Sequence, residues 1–126
     1  MTAKQWRSAK KQLDVVFETL KDAGLITMHD AGTTQEDGFS DCCEELENQG
    51  GIESGIHGFC YYTRQDLNRA KRTSQLPLAF WGAPAGADND MDRVGQLIVD
   101  TFRSAGLNIQ WDGKSSARPT VHFLET

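Results

Sequence analysis

Two hydrophobic periods alternate along this chain, and that alternation limits its fold more than any other feature. Residues 3 to 23 place Trp6, Ala9, Leu13, Val16, Phe17 and Leu20 at helical spacing. Gly24 follows as a natural C-terminal cap, and LITMHD then reads as a short strand. The same switch recurs. Phe39, Cys42, Cys43 and Leu46 form one apolar helical stripe, with Ser40 as the expected N-cap. On that placement the helix dipole favours Asp41, Glu44 and Glu45. IHGFCYYT reads as a buried strand, and Thr63 with Asp66 forms a capping box opening QDLNRAKRTS. LPLAFWGA is a further strand with Pro at its edge. A helix capped by Asp90 runs through Ser104, and LNIQW and TVHFL close the chain as strands. The expected order is αβαβαβαββ, a single-domain α/β sandwich over residues 1 to 126. Its helices pack on a four- or five-stranded mixed sheet.

An internal echo, LKDAGLITMHDAG at 20 to 32 against FRSAGLNIQWDG at 102 to 113, has a simple reading. Ala-Gly-Leu stops a helix on a left-handed glycine and starts a core strand on leucine.

Length and composition narrow the setting. A chain of 126 residues is long enough to bury a core without staples. Three cysteines, two of them adjacent, make no disulfide framework, and no export signal or membrane span is visible. A reduced, cytoplasmic setting is expected. Net charge of −5 argues against a nucleic-acid partner. From Asp22 to Thr63 there are nine acids and no Lys or Arg. Seven of them, Asp30, Glu36, Asp37, Asp41, Glu44, Glu45 and Glu47, fall in HDAGTTQEDGFSDCCEELE at 29 to 47.

Catalytic and metal patterns find little support. Cys42 and Cys43 stand about 100° apart around a helix, and His57 and Cys60 point to opposite faces of a strand. That spacing does not build a zinc site, and no cofactor is expected. His29-Asp30 suggests a ligand pair but lacks the further His and Asp residues such sites use. Asp30 is expected instead to close the turn at Gly32. No G-x-S-x-G or phosphate loop is present.

Several segments resemble a family of small bacterial α/β domains of unknown function: MHDAGTTQEDGFSD, HGFCYYTRQDLNRA, LPLAF and VGQLIVDTFRSAGLNIQWDG. They span residues 24 to 113 in order and at sensible spacing. The resemblance implies an α/β fold and brings no established activity or catalytic residues.

The expectation is therefore an interaction protein, most concretely an immunity-type inhibitor of a bacterial toxin. Its contacts would be Asp30, Glu36, Asp37, Asp41, Glu44, Glu45 and Glu47, facing a basic partner. The rival reading is a small-molecule-binding domain or minor enzyme. Its pocket would be built from His29, Asp30, Gln35, Tyr61, Asp66 and Trp111.

Overall fold

The structure, a computed structural model, describes residues 1–123. Leu124, expected to end the last strand, lies outside the described residues. Helix α1 (Ala3–Asp22) opens on a Thr2–Gln5 capping box and buries Ala9, Leu13, Val16, Phe17 and Leu20. Gly24, at φ 100°, turns the chain into β1 (Leu25–Met28). Then come α2 (Gln35–Asn48), a short 3-10 turn at Ile52–Ser54, and β2 (Gly58–Tyr61). They are followed by α3 (Arg64–Thr73), β3 (Gln75–Pro77), β4 (Ala79–Gly82), α4 (Asp88–Ser104), β5 (Asn108–Gln110) and β6 (Thr120–His122).

Among the described residues the chain is α/β with four α-helices, but the strands form two three-stranded sheets rather than one sheet of four or five. The first has the order β1-β2-β4, parallel between β1 and β2 and antiparallel between β2 and β4. The second, β3-β6-β5, is antiparallel throughout. The division falls inside LPLAFWGA. Pro77 ends β3 in the second sheet, Leu78 donates its N–H to the Pro119 carbonyl, and Ala79 begins β4 in the first. One apolar run thus serves two sheets, and the element order is αβαβαββαββ. Proline carries no N–H to continue a ladder, so a sheet change beside it costs little.

The main core lies where α1, α3 and α4 meet one face of the first sheet and the inner face of the second. Its members include Phe17, Leu25, Tyr62, Leu76, Ile98, Phe102 and Val121. Trp111 packs at the rim of this core, edge-on to Phe80. A smaller cluster covers the opposite face of the first sheet, where α2 lays Cys42 and Leu46 on Ile26, Phe59 and Tyr61. The two Ala-Gly-Leu segments make the same local turn, with Gly24 and Gly106 both at positive φ. Their strands belong to different sheets.

Two helix starts differ from expectation. Helix α2 begins at Gln35, capped by Thr34 in a reciprocal box with Asp37, so Ser40 is an interior residue. Helix α4 begins at Asp88, and Asp90 is its third residue. The Asp90 carboxylate accepts from the Ala85 and Ala87 amides and so satisfies the helix start from inside. In both places a Ser or Asp that looks like a cap lies within a helix already started upstream.

Candidate functional site

Thr34 fixes where α2 starts, and the packing of Gly38, Cys42 and Leu46 fixes how its acids fall around the axis. The helix buries Gly38, Cys42 and Leu46, and it sends Glu36, Asp37, Asp41, Glu44 and Glu47 into solvent. Glu45 is half-exposed and accepts from the Gln49 side chain at 2.8 Å. Among the described residues none of these six acids forms an ion pair. The true helix start also changes which acids the dipole favours. Glu36 and Asp37 occupy the first turn, where the dipole favours anions, while the last turn holds acids and no base. An uncompensated anion there costs a few tenths of a kcal/mol. Phe39, expected within the apolar stripe, is 37% exposed. It stands edge-on to Phe59 and Trp81 at the border of the acidic surface.

Gly38 explains how the helix can lie so low on the sheet. A Cβ there would meet the Tyr61 ring at 2.6 Å and the Ala31 carbonyl oxygen at 2.7 Å. Glycine in mid-helix costs about 1 kcal/mol in propensity, and here it permits the close approach.

Asp30 does not join the exposed set. It sits at φ 54°, an uncommon backbone conformation for a residue with a side chain, and its Oδ2 pairs with Arg64 at the start of α3. Its other oxygen is buried and takes no hydrogen bond from the protein. The turn at Gly32 is held by the main chain, since the Gly32 carbonyl accepts from the Arg64 amide.

The rival pocket does not assemble. His29 Nδ1 lies 2.7 Å from the Tyr62 hydroxyl, its Nε2 lies 3.1 Å from Asp14, and its ring stacks on Phe17. Both nitrogens are engaged, so neither is free to act as a base or ligand. Burial, and then the nearby Lys10 charge, lower the His29 pKa. Asp14 pulls the other way but is 51% exposed and shared with Lys10, so burial prevails. Burial also raises Tyr62 well above the usual tyrosine value and Tyr61 to about 12.

Gln35 contributes only its carbonyl, which accepts from the buried Tyr61 hydroxyl at 3.0 Å. Asp66 is committed to Arg118, and Trp111 donates its Nε1–H to the Lys114 and Ala117 carbonyls at 3.1 Å each. His29 lines a groove beside β1, whereas Trp111 lines a separate depression with Gln75 and His122. Among the described residues, no group of three His, Cys, Asp or Glu side chains is placed to hold a metal ion. No described helix is long and apolar enough to cross a membrane. The three cysteines are unpaired: Cys42 and Cys60 are buried, and Cys43 is half-exposed.

Four residues near these sites carry no signal in the sequence. Arg64 and Arg118 take up Asp30 and Asp66, and Asp14 and Glu18 bring acidic side chains from α1 toward β1. Each partnership spans elements, so only the folded chain brings the charges together.

Comparison with known proteins bears on the family alone. No curated protein and no solved structure matches the chain. A family model described as a domain of unknown function, DUF6891, matches residues 2–125. A family without assigned function is also what MHDAGTTQEDGFSD and its companion segments resemble. Across nearly its whole length, the chain belongs to the DUF6891 family.

Proposed function

We propose that this chain is a protein-interaction module that binds a basic protein through the exposed acidic face of α2. In its most concrete form it is an immunity-type inhibitor, acting in the bacterial cytoplasm to neutralise a cognate toxin. The observation that carries the reading is the surface of one helix. Glu36, Asp37, Asp41, Glu44, Glu45 and Glu47 share it without an ion-pair partner among the described residues, and Phe39 is exposed beside them. A field of one sign raises association rates and rejects partners of like charge. An exposed aromatic at its border supplies the apolar anchor on which protein interfaces concentrate their energy. The acids in the last turn support the reading too, because an unfavourable dipole position gives folding no reason to retain them. Asp30, the seventh acid of the run, is paired with Arg64 and stands apart from these six.

The test is capture from the native cytosol on the immobilised protein, beside a Glu44→Lys/Glu47→Lys variant at low and moderate salt. A basic protein retained by wild type at low salt, and lost by the variant, supports the reading. Identical captures from the two surfaces contradict it.

A further inference from the structure

Strand β1 is an edge strand. Among the described residues it pairs only with β2. In a parallel pair, alternate residues turn their N–H and C=O to opposite sides. The Gly24 carbonyl accepts from His57 and the Met28 carbonyl from Tyr62, so Gly24, Ile26 and Met28 address β2. Leu25 and Thr27 therefore turn their main-chain groups outward. Leu25 is buried, but Thr27 is half-exposed. It lies on the floor of a groove of about 560 Å³ that runs along the strand.

Helix α1 supplies one wall, with Asp14, Glu18 and Lys21, and α2 the other, with Glu45 and Gln49. Three carboxylates thus face one amine. Glu18 and Glu45 have no ion-pair partner among the described residues. An open strand edge usually survives because charged side chains discourage pairing with copies of itself. Acidic walls on both sides do that here, and they leave a strand of opposite charge welcome.

We propose that this groove takes an extended, lysine- or arginine-bearing segment of the partner protein as an added strand beside β1. The two helices flank opposite faces of the sheet. Side chains of an added strand, which alternate between those faces, therefore meet acid on either side: Asp14 and Glu18 on one, Glu45 on the other. Four residues of β1 offer about 13 Å, room for a segment of similar length. Main-chain bonds to Thr27 set its register, and the walls select its charge. The proposal rests on the reading of the chain as an interaction module and deepens it, since Glu45 belongs to both the groove and the acidic face of α2.

The probe is a fluorescent, amidated hexapeptide of alternating Lys and Val. Two further versions are N-methylated on the lysines or on the valines. Only one set of amides can face β1, so one version should bind about tenfold more weakly and the other should match the parent. The Thr27→Pro variant removes the outward N–H without touching the β1–β2 ladder, and it should lose the peptide while keeping its circular dichroism. Should that variant not fold, the double variant Glu18→Lys/Glu45→Lys, which reverses a charge on each wall, provides the protein-side test by weakening binding whichever face the lysines take. Undetectable binding of the parent peptide overturns the groove proposal, as does equal binding of the two N-methylated versions. Peptide binding that ignores N-methylation but vanishes in Glu44→Lys/Glu47→Lys removes the groove and keeps the α2 face. The groove pattern with unchanged partner capture by that double variant does the reverse.

Discussion

Arg118 reaches Asp66 with both terminal nitrogens, at 3.0 and 2.6 Å from the two carboxylate oxygens. The same guanidinium donates to the Leu78 and Pro77 carbonyls, where the chain crosses from one sheet to the other. It therefore holds the start of α3, the crossover and the approach to β6 together. Removing one partner of a largely buried pair leaves the other charge stranded. With Arg118 itself 28% exposed, the cost of Arg118→Ala should be about 2–3 kcal/mol, below the cost for fully buried pairs. Lysine, a point charge, should recover little of the two-pronged contact. Urea denaturation of both variants checks this, and wild-type stability in Arg118→Lys would contradict it.

Gly38→Ala runs against helix propensity. Alanine should favour the helix by about 1 kcal/mol, yet its Cβ would press on the Tyr61 ring and the Ala31 carbonyl. Overpacking of that kind costs about 1–3 kcal/mol, so we expect net destabilisation. A thermal melt decides the sign, and a stabilised variant would mean that α2 stands farther from the sheet.

The thiols should divide two to one. Burial raises the Cys42 thiol to about 12 and Cys60 higher still, while Cys43 is half-exposed with its pKa raised less. Titration of the native protein at neutral pH should label Cys43 alone, more slowly than a free thiol, and all three after unfolding. Rapid labelling of Cys42 or Cys60 would contradict their burial.

Acid should weaken the fold through His29. Its folded pKa lies below the ordinary value near 6.5, so the unfolded chain takes the proton first as pH falls. The contribution of neutral His29 is complete above about 6.5 and is lost as pH falls through the folded value. Urea midpoints at successive pH values, compared with His29→Gln, isolate it. The variant should lose less stability across that window, and parallel curves would contradict the burial of His29.

How much of this could be seen in the sequence varies from element to element. Helix α1, the Gly24 turn and the Thr63–Asp66 box are local, and each stands as the periodicity and capping pattern imply. The sheet count was hidden because LPLAF changes sheet inside an unbroken apolar run, which no period reveals. Ser40 concealed the true start of α2, although Thr34 and Asp37 carry the same capping spacing. The earlier start puts Glu36 and Asp37 in the first turn in place of Asp41, Glu44 and Glu45. Glu45 and Glu47 stand in the last turn, where the dipole opposes them. The acids of α2 are legible as a run of one sign. The withdrawal of Asp30 is not, because Arg64 meets it only after β1 and β2 pair.

Steering of a basic partner by the acids of α2 is read most directly from association rates. Association kinetics of that partner, once captured, should be measured at low and moderate salt for wild type and Glu44→Lys/Glu47→Lys. Both positions are exposed, so stability should shift by no more than about 0.5 kcal/mol. We predict association about three- to tenfold slower for the variant at low salt, with a flatter salt dependence, because the attracting field is reduced. Equal on-rates and equal salt slopes would contradict the claim and leave the acidic helix a plain solvated surface.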